Sequence, residues 1–503
     1  MATAGTTKQT GSAPPKAAVK NLREAIQLLK KLEGQFVSTH VEVDPQAELA
    51  GVYRKVGAGG TTMRPTQVGP AMLFENVKGY DIPVIVGVLA SRKRLAAFMD
   101  ADEKHLGRHM LNAMQHAKKP VMVDDAPCQE KVYLASDPDF DIRKLLPAPT
   151  NTVEDAGPYF CMAVLRGTDP ETGQHDVTIH RLCVQNRDEI SVFMQTGRHI
   201  GMMYEKYDAM GKPMPITISM GISPVEYMAI SFEPPSSPYG FDELEFAGGL
   251  TGSPVELVKA KTVDEFAMAS AEIVIEGEIL PGRRVAEDQN TNTGFAMPEF
   301  PGYDGTANPS LPIVKVKAVT TRTKPILQTL VGPGEEHVSL AGIPTEGSLV
   351  QALEDALPGF VKNVYSHPSG GGKYLGILQV HKRDHNDQGR ERQAAIVAFG
   401  AFPEMKHIIL VDDDVDIFDT DDVLWAMTTR FQAERSLIPI PGVRCHPLDP
   451  SADPSFLWTN FNHGISTKAI FDCTVPWELR EKFIRAPFLD VDVKRFLPDW
   501  TGN

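Results

Sequence analysis

The sequence predicts a three-part protein, with an α/β region at each end and a β-rich region between them. Up to about residue 118, and again from about residue 335, helical apolar patterns alternate with short apolar runs typical of strands. From about 120 to 330, short β-like runs recur between turn residues, and few long helical patterns interrupt them. A chain of 503 residues also exceeds what one hydrophobic core usually serves, so several domains are expected.

The N-terminal α/β domain is expected over residues 20–120. "NLREAIQLLKKLEGQ" has apolar residues at helical spacing, "FVSTHVEV" alternates like a strand, and "IPVIVGVLA" is a continuous apolar run that predicts a buried strand. Residues 1–19 are small and polar and contain proline, which predicts a disordered tail. They lack the apolar segment of a signal peptide.

The central domain is expected over residues 121–330 as a β-barrel or a sandwich. Its β-like runs include "YFCMAVLRG", "DVTIHRLCV", "PITISMGI" and "AEIVIEGEIL". The C-terminal α/β domain is expected over residues 331–503. There "EGSLVQALEDAL" predicts a helix, "YLGILQV" predicts a strand, and "DTDDVLWAMTTRF" begins with an Asp, as helices often do.

Composition excludes several classes of protein. The formal net charge of -15 argues against a nucleic-acid-binding protein, which needs a basic face for phosphates. The five cysteines form no CxxC pair and their number is odd, which fits a reducing, cytoplasmic location. The sequence contains no run of about 18 apolar residues, so no membrane span is predicted. The common phosphate-binding, serine-hydrolase and zinc-protease motifs are absent.

Candidate metal ligands begin in the strand "DVTIHRLCV". Asp176 and Thr178 share one face of this strand, whereas Arg181 lies on the apolar opposite face and needs an anionic partner there. His199 in "TGRHIG" and Glu243 in "DELEFAGGL" would complete a mixed nitrogen and oxygen set with Asp176, suited to manganese or magnesium. The alternatives are a solvated edge strand, a surface histidine and a solvated acidic face.

A candidate proton donor lies in "NTNTGFAMPEFPGYDG". Glu299 is surrounded there by Phe295, Met297, Phe300 and Tyr303, and an apolar setting raises the pKa of a carboxyl group. Such a group holds a proton near neutral pH and can donate it. The alternative is a turn residue that caps neighbouring backbone.

Six motifs, in this order, resemble the UbiD-type decarboxylases: "DVTIHR", "GRHIG", "DELEFAGGL", "PEFPGY", "KVKAVTTR" and "VDDDVDIFDTDDVLWAMTTRF". The resemblance runs from about residue 25 to 490. It implies an N-terminal α/β domain, a central split β-barrel like that of flavin reductases, and a C-terminal α/β domain that forms oligomers, as a homodimer or homohexamer. It also implies prenylated FMN, supplied by a flavin prenyltransferase, with manganese or magnesium and often potassium at its phosphate.

The resemblance also implies roles for individual residues. The metal ligands fall on Asp176, His199 and Glu243, and the cofactor contacts on Thr178, Ile179, Arg181, Arg198 and Met220. The catalytic residues fall on Arg181 and on Glu299, the proton donor. Many members carry a second Glu five positions before the donor, where this chain has Gly294. Glu287 or Asp288 is the expected replacement if the loop folds back.

The loops around Glu299 are similar to the branch that acts on aromatic acids such as gallate, protocatechuate and phenazine carboxylates. In that branch the substrate contacts fall on Phe295, Thr323, Lys373, Leu437 and His446. Hydroxybenzoate-specific members tend to have a His at the position of Thr323. This difference predicts a less hydroxylated ring, polycyclic or heteroaromatic.

The predicted function is the reversible, non-oxidative decarboxylation of an aromatic or heteroaromatic carboxylic acid. The resemblance implies a covalent adduct between substrate and prenylated FMN, loss of carbon dioxide, and protonation of the ring carbon by Glu299. Two alternatives are open: an alkene-forming decarboxylase of a cinnamate-like acid, against which Gly294 argues, and a flavin-binding protein without turnover.

Overall fold

The structure is a computed structural model that describes residues 18–61, 64–194, 197–233, 237–452 and 465–500. The predicted tail therefore lies outside the described residues, except for its last two. These two are packed, because Ala18 is buried and the Val19 N–H donates to the carbonyl of Phe98 at 3.1 Å. Residues 18 and 19 thus belong to the packed part of the N-terminal region and not to a tail.

The N-terminal region is a small α/β layer. Its helices are α1 (Leu22–Leu29), α2 (Glu48–Gly57), α3 (Arg92–Met99) and α4 (Leu106–Met114), and its strands are β1 (Phe36–Thr39), β2 (Ala71–Phe74) and β3 (Val84–Val86). The side chain of Asn21 accepts the N–H of Glu24 and so begins α1. The apolar stripe of α1 is fully buried, as its helical spacing predicts.

The central region is rich in strands. Its strands are β4 (Val121–Val123), β5 (Lys131–Leu134), β6 (Tyr159–Thr168), β7 (His175–Asn186), β8 (Glu189–Val192), β9 (Met214–Met220), β10 (Glu256–Lys259), β11 (Phe266–Met268), β12 (Ile273–Val285), β13 (Phe295–Pro298), β14 (Asp304–Thr306), β15 (Leu311–Thr321) and β16 (Leu327–Thr329). Its helices are α5 (Ile142–Leu145), α6 (His199–Ala209), α7 (Pro224–Ile230) and α8 (Glu243–Thr251).

Six of these strands form a closed antiparallel barrel in the order β12-β9-β6-β7-β8-β15, because β15 pairs back onto β12. Of the two predicted alternatives, the barrel is therefore confirmed. Strand β5 extends the barrel sheet at β15, β4 joins β10 and β11 in a separate sheet, and β13 and β14 form a two-stranded ribbon. Strand β16 pairs with β3, so the chain returns to the N-terminal sheet, ordered β1-β2-β3-β16, before the C-terminal region.

The C-terminal region is a second α/β layer. Its helices are α9 (Glu335–Ala356), α10 (Arg390–Ala401), α11 (Thr420–Arg430) and α12 (Ala433–Ser436), and its strands are β17 (Val361–Ser366), β18 (Leu375–Val380), β19 (His407–Asp412), β20 (Leu437–Arg444) and β21 (Ile465–Asp472). The sheet order is β17-β18-β19-β21-β20, with parallel pairs at β18–β19 and β19–β21.

Short 3-10 helices complete the described secondary structure, at Glu103–His105, Pro127–Gln129, Pro368–Gly370, His385–Asp387, Pro450–Ala452, Trp477–Lys482 and Val493–Arg495. In the part of the chain that the structure describes, no helix is both long and apolar enough to cross a membrane. All five cysteines are free thiols.

The apolar cores position the site. One core joins α1, α3 and α4 to α7, α8 and the outer face of the barrel, and a second fills the barrel. The C-terminal sheet has its own cores on its two faces. Helix α9 packs against α4, α7, α10 and β17, so it links the three regions. A cavity remains between the barrel strand β7, the start of α9 and the loops of the C-terminal region.

Candidate active site

The cavity has a volume of about 290 Å³ and takes its walls from the central and C-terminal regions. Most of the residues that the resemblance assigns to a site line it, namely Asp176, Thr178, Ile179, Arg181, Arg198, His199, Glu243, Glu299, Lys373 and His446. The structure thus brings together residues that are far apart in the sequence.

Asp176, His199 and Glu243 form one cluster at the cavity wall. One ligand atom from each lies within 4.8 Å of the others, and the His199 Nδ1 is 3.3 Å from the Asp176 Oδ1. Local structure sets their positions: His199 is the first residue of α6, and Glu243 is the first residue of α8, directly after the capping Asp242. Asp176 is the second residue of β7.

The chemistry of this cluster fits a divalent cation. Glu243 is buried, and its Oε2 has no hydrogen-bond partner among the residues that the structure describes. Burial, and after it the neighbouring Asp176 carboxylate, raises the pKa of Glu243 well above its usual value. Two buried carboxylates and an imidazole with an unsatisfied oxygen are an environment that a cation would stabilise.

Arg181 lies between two carboxylates. It forms two parallel hydrogen bonds with Glu287, each 3.0 Å long, and an ion pair through its Nη1 with the Glu299 Oε1. Its guanidinium also lies over the ring of Phe193, at 4.4 Å from the centroid. Arg181 thus has the anionic partners that an arginine on this face requires.

Glu287 is the second carboxylate bound to Arg181, and it precedes Gly294 in the chain. It is buried and also accepts the hydroxyl of Tyr159 at 3.0 Å and the N–H of Asn308 at 2.9 Å. Of the two expected replacements, Glu287 is the one that contacts Arg181, and its role in place of the missing Glu stays a prediction. Asp288 instead stabilises the following turn. Its carboxylate accepts backbone N–H groups of that turn, up to that of Gly294.

Glu299 follows β13 and is 13% exposed. Burial raises the pKa of Glu299, although the Arg181 charge opposes this shift. The Glu299 N–H donates to the carbonyl of Tyr303, which closes a tight turn between β13 and β14. Gly305 lies opposite on β14, where a Cβ would come within 2.8 Å of the Glu299 Cγ.

Lys373 and Arg198 share two carboxylates at the far wall. The Lys373 Nζ donates to Glu233 at 2.9 Å and to Glu404 at 2.8 Å, and the Arg198 Nη2 lies 3.0 Å from Glu233 and 3.4 Å from Glu404. The His446 Nε2 lies 3.6 Å from Glu404. These contacts fix the Lys373 ammonium group at the cavity wall.

Sequence reasoning missed several residues of this wall. His337, Leu340 and Ala341 line the cavity from one face of α9, and the helical spacing of these positions was the available signal. Glu233 and Glu404 carry no local signal, because Glu404 is 206 residues from its partner Arg198.

Four of the assigned residues do not line this cavity. Met220 packs into the barrel core, Phe295 is 39% exposed on β13, and Leu437 is 40% exposed on β20. Thr323 is exposed beyond the end of β15, where its N–H and hydroxyl both donate to Glu130 at 2.6 Å. Thr323 does not line the cavity, so the structure gives no support to the inference about substrate hydroxylation.

The chain matches three family domain models along most of its length. They are described as the 3-octaprenyl-4-hydroxybenzoate carboxy-lyase N-terminal domain, matched by residues 26–114, its Rift-related domain, matched by 119–335, and its C-terminal domain, matched by 338–473.

Characterised and solved relatives cover nearly the whole chain. A gallate decarboxylase of Lactiplantibacillus plantarum is 49% identical over 483 residues, which are 95% of this chain and 99% of that protein. The apo structure of a 3,4-dihydroxybenzoic acid decarboxylase from Enterobacter cloacae is 56% identical, with a TM-score of 0.91 over 96% of this chain and 99% of that one.

A further relative was solved with a flavin. The UbiD-class enzyme HmfF from Pelotomaculum thermopropionicum in complex with FMN is 33% identical, with a TM-score of 0.84 over 95% of this chain and 100% of that one. An evolved dimeric form of HmfF, in complex with prFMN, is 32% identical, with a TM-score of 0.79 over 93% of this chain and 97% of that one. The predicted fold and family are therefore confirmed: this chain belongs to the UbiD family of carboxy-lyases, in the aromatic-acid branch.

Proposed function

We propose that this protein is a reversible, non-oxidative decarboxylase of a hydroxylated aromatic carboxylic acid and that it depends on prenylated FMN. One observation carries the proposal: the set Glu287–Arg181–Glu299 and the cluster Asp176–His199–Glu243 open on the same cavity. The gallate and 3,4-dihydroxybenzoic acid decarboxylases among the relatives support the class of substrate.

Asp176, His199 and Glu243 would hold manganese or magnesium against the cofactor phosphate, often with potassium nearby. Arg198 would add positive charge there, and β7 would run along the flavin at Thr178 and Ile179, which line the cavity. The FMN and prFMN complexes of HmfF support this cofactor. Prenylated FMN, when bound, supplies the centre that takes up electron density while carbon dioxide leaves the ring.

Glu299 is the proposed general acid. Burial raises its pKa, which favours the protonated form that a general acid needs, and Arg181 holds the group at the cavity wall. The proton from Glu299 replaces the departed carboxylate on the ring carbon. In the reverse reaction the Glu299 carboxylate removes that proton, so the same residue serves both directions.

Lys373, His446 and His337 form the proposed subsite for ring hydroxyl groups. Burial lowers the pKa of each histidine to about 4, so both rings are neutral at pH 7 and can accept a phenolic O–H. The Lys373 ammonium group can donate to a phenolic oxygen and stabilise negative charge on it. This wall favours a hydroxylated ring over the unsubstituted ring of a cinnamate-like acid.

We further infer a self-associating, cytoplasmic enzyme that receives its cofactor from a flavin prenyltransferase. The exposed apolar side chains of the C-terminal segment, residues 484–500, support self-association. The free thiols fit a reducing compartment.

The test is turnover of the holoprotein, produced together with a flavin prenyltransferase. We expect carbon dioxide release from 3,4-dihydroxybenzoate or gallate and little from cinnamate. Glu299→Gln should keep its flavin absorbance and lose activity about 100-fold or more. Styrene from cinnamate would instead indicate the alkene-forming function, and a flavin-loaded protein inactive on all these acids would contradict the proposal.

A further inference from the structure

The side chain that follows the proposed proton donor is held by residues of another region. Phe300 is 7% exposed, and its ring meets three rings edge-on. The centroid distances are 4.9 Å to His446, 5.1 Å to Tyr374 and 5.7 Å to His337. Edge-on contacts at these distances are attractive and directional, so the three rings fix the orientation of the Phe300 ring.

A glycine completes this enclosure, which we call the Phe300 socket: His337, Gly371, Tyr374 and His446. Gly371 has a φ of +63°, and a Cβ at this position would overlap the Phe300 ring. The socket is therefore shaped closely to the ring. The Lys373 Nζ, which also lines the cavity, lies 6.0 Å from the centroid of the same ring.

The ring and the socket belong to different parts of the fold. Phe300 lies in the turn of the β13–β14 ribbon, whereas His337 is on α9 and the other three residues are in the C-terminal layer. The ribbon is short, and its register contains two pairs, Phe295 with Thr306 and Pro298 with Asp304. The Glu299 N–H donates to the Tyr303 carbonyl and the Gly302 N–H to the Glu299 carbonyl, which closes the turn, and the Phe300 ring joins this turn to the socket.

We propose that Phe300 is a positioning residue: its insertion into the socket aims Glu299 at Arg181 and couples that aim to the placement of the C-terminal layer. The inference rests on the proposed function, since it concerns the direction of the proposed acid. The same insertion orders His446 and Lys373 at the cavity wall. Proton delivery and the hydroxyl subsite are therefore set by one contact.

A double-mutant cycle tests this coupling in the holoprotein. Gly371→Ala should displace the ring and lower kcat about ten- to a hundredfold, because small misplacements of a reacting group have effects of that size. Phe300→Leu should lower kcat similarly. In the Phe300→Leu background, Gly371→Ala should change kcat by no more than about twofold, because the overlapping ring is gone.

Gly359→Ala is the matched control. Gly359 has a φ of +70°, and a Cβ there would meet nothing within 4 Å. It therefore reproduces the backbone strain of Gly371→Ala in the same layer without touching Phe300. We expect Gly359→Ala to lower the melting temperature and leave kcat unchanged. A loss of kcat equal to that of Gly371→Ala would overturn the inference, as would full additivity of Gly371→Ala with Phe300→Leu.

A second variant avoids backbone strain. Tyr374→Leu removes one wall of the socket, and we expect a fall in kcat at unchanged flavin absorbance that does not add to the effect of Phe300→Leu. Hydrogen–deuterium exchange of the protein without cofactor should be faster over residues 295–306 in Tyr374→Leu and in Phe300→Leu than in the unaltered protein. Unchanged exchange would refute the socket whether or not the protein turns over any acid, whereas inactivity of the unaltered holoprotein would refute only the proposed function.

Discussion

At the scale of single residues, three effects contribute most to the pKa of Glu299. Burial favours the neutral acid, the Arg181 guanidinium favours the carboxylate, and the Glu287 carboxylate favours the neutral acid again. Glu287 also binds Arg181 through two hydrogen bonds, so the two carboxylates share one guanidinium group. The pKa of Glu299 is raised as a result, which suits a proton donor.

Glu287→Gln tests this balance through the pH profile. The change removes a negative charge that raises the pKa of Glu299. The pKa of Glu299 should therefore fall in this variant. A general acid works in its protonated form, so kcat should decline with rising pH from a lower pH than in the unaltered protein. Glu278→Gln, at an ion pair with Lys317 on the barrel, is the control and should leave the profile in place. A shift to higher pH would contradict the assignment.

Gly305→Ala tests the position of Glu299 without removing a functional group. Its Cβ would lie 2.8 Å from the Glu299 Cγ and 3.1 Å from Oε1, so the carboxyl group has to move. We expect kcat to fall about tenfold with flavin absorbance unchanged. Gly400→Ala, where a Cβ meets nothing within 4 Å, is the control and should retain full activity. Equal rates for both variants would show that Glu299 tolerates displacement.

At the scale of elements, the metal cluster depends on where helices and strands begin. His199 and Glu243 each open a helix, and Asp176 lies near the start of β7. The side chain of Asp242 accepts the N–H groups of Leu244 and Glu245, which fixes the start of α8 and so the position of Glu243. The packing of α8 against β7 and α7 then holds the start of α8 close to the start of β7.

His199→Ala should reduce both bound metal and bound flavin, because it removes the nitrogen of the cluster. Metal analysis and flavin absorbance of the purified protein measure the two losses. His40→Ala is the control, since the side chain of His40 is 82% exposed and far from the cluster. If His199→Ala retained a full complement of metal, the cluster would not be the metal site.

At the scale of the whole molecule, the C-terminal segment is unusual in its exposure. Arg485 binds Asp414 and Asp422 and so ties the start of the segment to the C-terminal layer. Beyond it lie large exposed apolar side chains, at Phe488 (94%), Leu489 (86%), Phe496 (65%) and others. Apolar patches of this kind commonly mark association surfaces, and a stable interface covers about 800 Å² on each partner.

Phe488→Asp together with Leu489→Asp should lower the mass of the particle in solution. Two charges on this segment would have to be desolvated on association, which weakens it. Light scattering coupled to gel filtration measures the mass. Val153→Asp, at another apolar side chain that is 84% exposed, is the control and should leave the mass unchanged. An unaltered protein that is already monomeric would contradict the proposed self-association.

The sequence by itself determined the order of α/β, barrel and α/β regions, because those patterns depend on residues close together in the chain. It also predicted functional roles for residues of β7 and for Glu299, because those predictions rest on neighbouring residues in the chain. Only the tertiary structure decided that Glu287, 106 residues from Arg181, binds it through two hydrogen bonds. It likewise placed His337 at the cavity and Glu404 against Lys373, whereas Thr323 and Met220 do not line the cavity. Such contacts form when distant segments pack together, and no local pattern records which segments will meet.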